Sequence, residues 1–224
     1  MEFKPALSLT EQIADHLEGE IIFGRLAPSE RIQELKVAKN LGVSRGSVRE
    51  ALLILENRQL IEILPRRGAV VRDVTRTQIE DLSDLTAELL GSLFARVSQK
   101  CHGGGAQGVM QAFDAAIHRM QVCEELFGDD RITEFVAGRV ALIEAAFQVN
   151  TNSYLEAVIR AILPSGQRLI YMVTQHPSFN VSNSLNMAQA LKQAINENNV
   201  NRIEQLILAH YRAEKALALD ISIH

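Results

Sequence analysis

The stretch that decides the fold is Gly42-Val43-Ser44-Arg45-Gly46-Ser47-Val48-Arg49-Glu50-Ala51. Ser44 is a preferred N-cap residue, and it predicts a helix start. The apolar residues that follow have the three-and-four spacing of a helix face that is buried: Val48, Ala51, Leu52, Leu55. Arg45 and Arg49 lie on another face, one turn apart. The alternative to a functional helix is an ordinary surface helix with two solvated arginines.

The first turn of such a helix is the part that enters a DNA major groove in helix-turn-helix proteins. There an arginine can bond a guanine edge, and serine hydroxyls or free N–H groups can bond a phosphate. The pattern therefore predicts DNA contacts along the start of this helix. The candidate residues are Ser44, Arg45, Gly46, Ser47 and Arg49.

The segments on either side complete a known arrangement. Residues 35–41 read as a short helix that ends at Gly42, and residues 9–23 read as a supporting helix that stops at Gly24. Two β-rich runs, 60–64 and 69–74, flank Pro65-Arg66-Arg67-Gly68 and predict a hairpin. Three helices and a hairpin describe a winged helix-turn-helix, with Arg66, Arg67 and Gly68 placed to contact DNA from the wing.

On these motifs, residues 1 to about 74 resemble the DNA-binding domain of GntR-type transcription regulators. The matching motifs are Pro28-Ser29-Glu30-Arg31-Ile32, Glu34-Leu35-Lys36-Val37-Ala38, Gly42 through Leu52, and Pro65-Arg66-Arg67-Gly68. The sequence departs from the family pattern at Ser47, at Gln59 and at Leu35, which stands where the family usually has a DNA-contacting arginine. We expect Lys36 to reach a phosphate from the next position, as a point charge and not a fork.

The composition agrees with a regulator. The chain has 224 residues, 47% of them hydrophobic, and a formal net charge of −4. Residues 36–76 hold nine Lys or Arg against four Asp or Glu, so the basic charge is local to the predicted DNA-binding region. No signal peptide or bilayer-spanning run is visible, so we expect a cytoplasmic protein. The two cysteines, Cys101 and Cys123, do not have the spacing of a metal site. We expect both to be free thiols that do not form a disulfide.

After Val74 the apolar spacing becomes helical throughout. The first of these helices is expected to be capped by Thr77, with Ile79, Leu82, Leu85, Leu89 and Leu93 as its buried row. Further helices are predicted at 107–127, 130–149, 152–173, 183–197 and 199–218, the third of them kinked or interrupted at Pro164. The predicted fold class is therefore mainly α. Its domains are a winged helix-turn-helix at 1–75 and an all-helical domain at 76–224.

The helical region resembles the FCD effector domain of the FadR subfamily, through Phe135, Asn152-x-x-Leu155, Ala194-Ile195 and His210. The resemblance implies a divalent metal held by an Asp, a His four residues later, and two further His. His210 falls at the last of these positions and Ala188 at the one before. Ungapped alignment places Arg139 and Ile143 at the other two, and a gapped alternative places Glu144 and Gln148 there. Because at least two ligands are lost either way, we expect no metal cofactor.

This loss suggests an effector site without a metal. If Arg139 and His210 face the cavity, the guanidinium would replace the metal charge and bind an anionic effector. Ile143 and Ala188 would make the pocket apolar, and Glu144 is a further candidate. An organic acid or an acyl carboxylate is then the expected ligand. The alternative is that Arg139 points to solvent and His210 is an interior histidine with satisfied bonds.

The resemblance implies an effector-controlled repressor that binds a palindromic operator as a homodimer. One alternative is a helical ligand-binding or adaptor protein whose DNA contacts have decayed, for which Leu35 is the cue. Another is an enzyme that uses His210, Glu144 and Cys123. The chain has no His-Glu-x-x-His pair and no nucleotide loop, so we predict that it is not an enzyme.

Overall fold

The computed structural model describes residues 8–102, 107–126 and 128–222. Contacts between Cα atoms separate the chain into two compact units. The first comprises residues 1–75 and 161–168, and the second comprises residues 76–160 and 169–224. Across the described residues the structure is helical apart from one small antiparallel sheet. The predicted fold class, mainly α with a β-hairpin wing, is confirmed.

Within residues 8–75, the first unit has three helices and three strands. In chain order they are α1 Leu9–Ile22, β1 Arg31–Ile32, α2 Glu34–Leu41, α3 Arg45–Asn57, β2 Ile61–Leu64 and β3 Gly68–Val71. The start of α1 is fixed by a capping box, in which Ser8 and Glu11 bond each other's backbone N–H groups at 2.8 and 3.2 Å. The end of α2 is fixed by Gly42, whose left-handed backbone turns the chain into α3.

One hydrophobic core joins these elements. It contains the face of α3 that the sequence predicts, packed against α1 and both long strands: Ile13, Leu17, Ile21, Val48, Ala51, Leu52, Leu55, Leu60, Ile61, Val71. Since this face is buried, the opposite side of α3 is left for solvent. The core therefore orients the arginine-bearing face of α3 outward.

The sheet has the strand order β1-β3-β2. The hairpin pairs Ile61 with Val71 and Leu64 with Gly68. The strand β1 was not predicted, because two residues are too short to show a period-two pattern. It forms because β3 presents an open edge, to which Arg31 and Ile32 pair.

The second unit is built from six helices among the described residues, with α7 shared between the two units. They are α4 Arg76–His102, α5 Gln107–Val122, α6 Gly128–Phe147, α7 Ser153–Thr174, α8 Val181–Asn196 and α9 Val200–Ile221. The most extensive contacts lie between α4 and α9 and between α5 and α6, and α8 packs against α4, α5 and α9. A 3₁₀ turn, Cys123–Glu125, follows α5, where the sequence predicts continued α-helix.

Three further predictions about this unit differ from the structure. The helix α4 begins at Arg76, so Thr77 lies inside it and is not its cap. Of its predicted buried row, Ile79 and Leu93 are buried, Leu82 and Leu89 are half-buried, and Leu85 is exposed. The buried face also contains residues that the prediction left out, several of them small: Ser83, Ala87, Leu90, Gly91, Phe94, Ala95, Val97, Ser98. The helix α7 runs without interruption through Pro164.

Candidate functional site

The first turn of α3 has the geometry that its sequence predicts. The Ser44 hydroxyl accepts a hydrogen bond from the backbone N–H of Ser47 at 3.0 Å, and the two hydroxyls are 2.9 Å apart. The side chains of Arg45 and Arg49 are 62% and 65% exposed. Gly46 is exposed between them. This places two cations and an N-terminal helix turn on one open surface.

A carboxylate that sequence reasoning missed connects the two arginines. Glu34, the first residue of α2, accepts hydrogen bonds from Nη2 of Arg49 at 2.9 Å and from its Nε at 3.3 Å. The same carboxylate lies 3.9 Å from Nη2 of Arg45. Hydrogen bonding by Glu34 raises the pKa of Arg49 above its ordinary value. Only the packing of α2 against α3 brings these residues together, since fifteen residues separate Glu34 from Arg49.

The wing turn places its arginines in solvent. Arg66 and Gly68 both have positive φ, 65° and 77°, and the N–H of Arg67 donates to the carbonyl of Leu64 at 3.2 Å. Glycine adopts this region without strain, whereas Arg66 does so at a cost. Arg66 and Arg67 are exposed, as is Lys36 on α2.

Arg31 is a second basic residue near the wing that the sequence reading missed. A Cβ atom built on Gly68 would lie 3.9 Å from Nη2 of Arg31. The pairing of β1 with β3 carries Arg31 to this position. Because the two-residue strand β1 was not predicted from the sequence, Arg31 was not placed next to the wing.

In the helical unit, Arg139 and His210 meet at a residue that the sequence reading did not single out. Arg139 on α6 donates to both carboxylate oxygens of Glu214 on α9, with Nη2 to Oε2 at 3.0 Å. It is buried, with an exposed fraction of 7%, so the alternative of a solvent-facing Arg139 is wrong. Its Nη2 also lies 3.5 Å from the hydroxyl of Tyr211. The His210 and Glu214 pair has the i, i+4 spacing that puts both on one face of α9.

His210 completes this group without being bonded in it. Its side chain is 8% exposed, and Nε2 lies 3.2 Å from Oε1 of Glu214. The orientation is not that of a hydrogen bond, and buried Nε2 has no hydrogen-bond partner among the described residues. A second alternative from the sequence was that His210 is an interior histidine whose hydrogen bonds are satisfied. Among the described residues His210 does not fit that alternative, because its Nε2 has no hydrogen-bond partner.

The opposite charges of Arg139 and Glu214 stabilise each other in the charged form. Burial by itself would raise the pKa of Glu214, but the adjacent guanidinium of Arg139 lowers it below its ordinary range. Burial opposes the charge of Arg139, and Glu214 more than compensates, so the pKa of Arg139 is raised. Burial also raises the pKa of Tyr211. The result is a neutral pair of opposite charges that links α6 to α9.

These residues do not fit the metal that the family resemblance implies. A metal needs several donors with free lone pairs, and Arg139 is a cation whose fork already covers the Glu214 carboxylate. Ile143 and Ala188 are buried aliphatic side chains without donor atoms. Within the described residues no three His, Cys, Asp or Glu side chains form a cluster that could hold a metal ion.

The other residues named from the sequence are not joined to this group. Glu144 is half-buried and pairs with Arg160 at the side of α6. The Cys123 thiol donates to the carbonyl of Met120 at 2.9 Å. The proposed catalytic set of His210, Glu144 and Cys123 therefore has each member engaged in a separate contact.

A small pocket adjoins the Arg139 group. It has a volume of about 300 Å³ and lies between the start of α6, the end of α7 and the start of α8. Its lining residues combine aromatic and polar side chains: Arg131, Ile132, Phe135, Thr174, Phe179, Asn180. The rings of Phe135 and Phe179 pack edge to face at 5.5 Å. The guanidinium carbon of Arg139 lies 5.8 Å from the centroid of the Phe135 ring. The Phe135 ring therefore borders both the pocket and the Arg139–Glu214 ion pair.

A helix that ends at a left-handed glycine, a Ser-capped helix with two exposed arginines, and a hairpin with a basic tip define a winged helix-turn-helix unit. Residues 9–71 match the family described as bacterial regulatory proteins, gntR family. The N-terminal unit is therefore a winged helix-turn-helix whose sequence is similar to that family over residues 9–71.

Sequence relatives support the same assignment over this region. The chain is 31% identical over 83 residues to the HTH-type transcriptional regulator McbR of Escherichia coli, covering 37% of this chain and 38% of that one. It is 31% identical over 80 residues to the HTH-type transcriptional repressor RspR of Escherichia coli, covering 36% and 35%. The chain thus spans less than half the length of these relatives. They are regulators and not enzymes.

Solved structures are similar over the whole chain. A putative GntR transcriptional regulator from Rhodococcus sp. RHA1 superposes with a TM-score of 0.72 at 21% identity, covering 96% of this chain and 99% of that one. The E. coli McbR/YncC structure has a TM-score of 0.75 at 18% identity, with the same coverage. At these identities the similarity shows the fold. Among the described helices, none has the length and apolar character needed to cross a membrane.

Proposed function

We propose that this protein is a cytoplasmic, effector-responsive transcriptional regulator of the FadR subfamily, a repressor that binds a palindromic operator as a homodimer. Residues 1–75 are its DNA-binding domain, and residues 76–224 are an FCD-like domain for effector binding and dimerisation. The observation that carries the proposal is the open surface at the start of α3, where Arg45 and Arg49 are exposed and share Glu34.

DNA reading follows from what this surface offers. Two guanidinium groups one turn apart match the guanine edges of neighbouring base pairs, and Ser44 and Ser47 supply hydroxyls at a helix start for a phosphate. Arg66 and Arg67 at the wing tip, with Lys36 on α2, add phosphate contacts. Ser47 is half-buried, with its hydroxyl 2.9 Å from that of Ser44, and Gly68 has no side chain, so Gly68 contributes through the backbone of the wing turn.

Dimerisation is supported by a groove along α4 and α9. The groove has a volume of about 550 Å³, and its floor is made of small residues on α4, Ala87, Gly91 and Ala95. Leu208 on α9 lines it and is exposed. Small residues allow a second helix to approach closely, and a twofold axis would place two copies of α3 on a palindrome. Sedimentation of a Leu208→Glu variant tests this assignment, with loss of the dimer expected.

Effector binding is supported by the Arg139 group and the adjoining pocket. Arg139 is the residue of the group that can bind an anion strongly, and in this structure its guanidinium donates to the carboxylate of Glu214. A carboxylate effector would therefore have to compete with Glu214, with its apolar part against Phe135 and the other pocket residues. An organic acid or short acyl carboxylate fits this chemistry. Carboxylates of increasing chain length, added to the protein–DNA complex, should release the DNA, and an Arg139→Lys variant should respond less.

The experiment that tests the central proposal is selection of a binding site from a random DNA pool, followed by affinity measurement at fixed salt. Arg45→Ala and Arg49→Ala should each weaken specific binding by about 1–3 kcal/mol. Arg202→Ala is a matched control, since Arg202 is a partly exposed arginine of the helical unit, paired with Glu197. If both α3 variants bind the selected site as tightly as the wild type, α3 is not the recognition helix.

The second candidate is a helical ligand-binding or adaptor protein without DNA binding. The feature that favours it is Leu35, an apolar side chain where the family usually carries an arginine. A random pool from which the wild-type protein enriches no site would favour this candidate over the regulator.

A further inference from the structure

The feature that the proposed function leaves without a role is the side chain of Leu35. It is 66% exposed, more than any other large hydrophobic residue described in the first unit. Isolated apolar residues on a surface are common, so exposure alone decides nothing. Its position is what distinguishes it, because it stands in the first turn of α2 beside the surface of α3 that carries the arginines.

The position follows from Glu34, the preceding residue. The Glu34 carboxylate bonds Arg49 and lies 3.9 Å from Arg45, so the first turn of α2 borders the same surface as the first turns of α3. Adjacent Cα atoms are about 3.8 Å apart, so the backbone of Leu35 lies next to the residue that contacts both arginines. The face of α2 that packs inward contains Ala38, and Leu35 lies outside that buried face.

An apolar side chain on a DNA-reading surface can recognise few features of a base pair. The donors and acceptors in the major groove need polar partners, whereas the C5-methyl group of thymine is the apolar feature that it presents. An arginine in this place would select guanine. A leucine cannot make those bonds, but it can bury a methyl group.

We propose that Leu35 is a specificity-determining residue that contacts the methyl group of a thymine next to the bases bound by Arg45 and Arg49. This inference rests on the proposed DNA-binding function. It adds a thymine preference at a position that the polar side chains of α3 do not account for.

The test removes single methyl groups from the DNA. A site is selected from a random pool with the wild-type protein, and each thymine is then replaced in turn by deoxyuridine, which differs only by the methyl group. Burying a methyl-sized group contributes about 0.8 kcal/mol, so the loss expected at one position is about fourfold in affinity. The Leu35→Ala variant should bind the original site about fourfold more weakly than the wild type does. Replacing that thymine by deoxyuridine should then cause no further loss of affinity in the variant.

Two variants serve as controls. Leu53→Ala removes another exposed leucine, on α3, and should keep the wild-type response to deoxyuridine. Leu35→Arg should enrich sites with guanine in place of the thymine. Because Leu35 is exposed, thermal unfolding of Leu35→Ala should match that of the wild type.

The outcomes are distinguishable. If the wild type enriches a site but loses no affinity at any thymine, or if Leu35→Ala keeps the full wild-type response, Leu35 does not read a methyl group and the inference fails alone. If no site is enriched by the wild type at all, the proposed function fails and the inference fails with it.

Discussion

The carboxylate of Glu34 bonds the guanidinium of Arg49 at 2.9 Å and lies 3.9 Å from that of Arg45, so one acidic residue of α2 contacts both candidate base-reading residues of α3. An acidic group close to a DNA-binding surface repels phosphate. Its value there is geometric, because it limits the rotamers of two long, exposed side chains before DNA is present.

We expect Glu34→Gln to lower the discrimination between the selected site and random DNA. Exposed ion pairs contribute little free energy, so the ratio of the two affinities should fall by no more than about fivefold. Affinity for random DNA should rise at the same time, because a negative charge is removed. Binding to both DNAs at one salt concentration measures this. An unchanged ratio would mean that Glu34 does not orient the arginines.

Arg66→Ala and Arg67→Ala should weaken binding to all DNA sequences alike. Each removes one cation from the exposed wing tip, so the slope of log affinity against log salt should decrease by about 1. A salt titration with the selected site and with random DNA measures both effects. Lys100→Ala, which removes a charge from the exposed end of α4, is the control and should leave the slope unchanged. A change in base preference would place the wing in a groove instead.

Arg139→Met should destabilise the helical unit by about 3–5 kcal/mol, because it leaves the buried carboxylate of Glu214 unpaired. The double variant Arg139→Met/Glu214→Leu removes both charges and should recover most of this loss. Urea unfolding followed by circular dichroism measures each free energy. Equal losses in the single and double variants would show that packing, and not the unpaired charge, is responsible.

The same pair predicts how stability depends on pH. The pKa of Glu214 is lowered in the folded protein, so the unfolded state binds the proton first, and the contribution of the pair is complete above the unfolded pKa of about 4.3. It is lost progressively as the pH falls from that value towards the lower pKa that Glu214 has in the folded protein. Unfolding at pH 7 and pH 3.5 should therefore show a smaller difference for the double variant than for the wild type. The same difference in both proteins would assign the acid sensitivity to other carboxylates.

Gly138→Ala should destabilise the helical unit. A Cβ atom on Gly138 would lie 2.5 Å from Cγ and 3.1 Å from the backbone nitrogen of Met120, so α5 and α6 would have to separate. Overpacking of this kind costs about 1–3 kcal/mol. Gly108→Ala on α5 is the matched control: its Cβ meets nothing within 4 Å, and the change should stabilise by roughly 0.5–1 kcal/mol. The melting temperature should fall for Gly138→Ala and rise slightly for Gly108→Ala, relative to the wild type.

Sequence alone determined the first unit, because its signals are local. The N-cap at Ser44, the turn at Gly42 and the apolar spacing of α3 act within a few residues, so each could be predicted without knowing what packs against it. The wing hairpin is local in the same way. The strand β1 was missed because its formation depends on the edge of β3.

The helical unit shows what only tertiary structure decided. The spacing of apolar residues predicts helices but not which face a long helix buries, and α4 uses its small residues for that purpose. Likewise, nothing local to Arg139 indicates that Glu214, 75 residues away, covers its guanidinium. A buried charge takes the nearest opposite charge that packing provides, and Glu34 meets Arg49 for the same reason. The sequence supplied the candidate residues, and the packing of α2 on α3 and of α6 near α9 decided their partners.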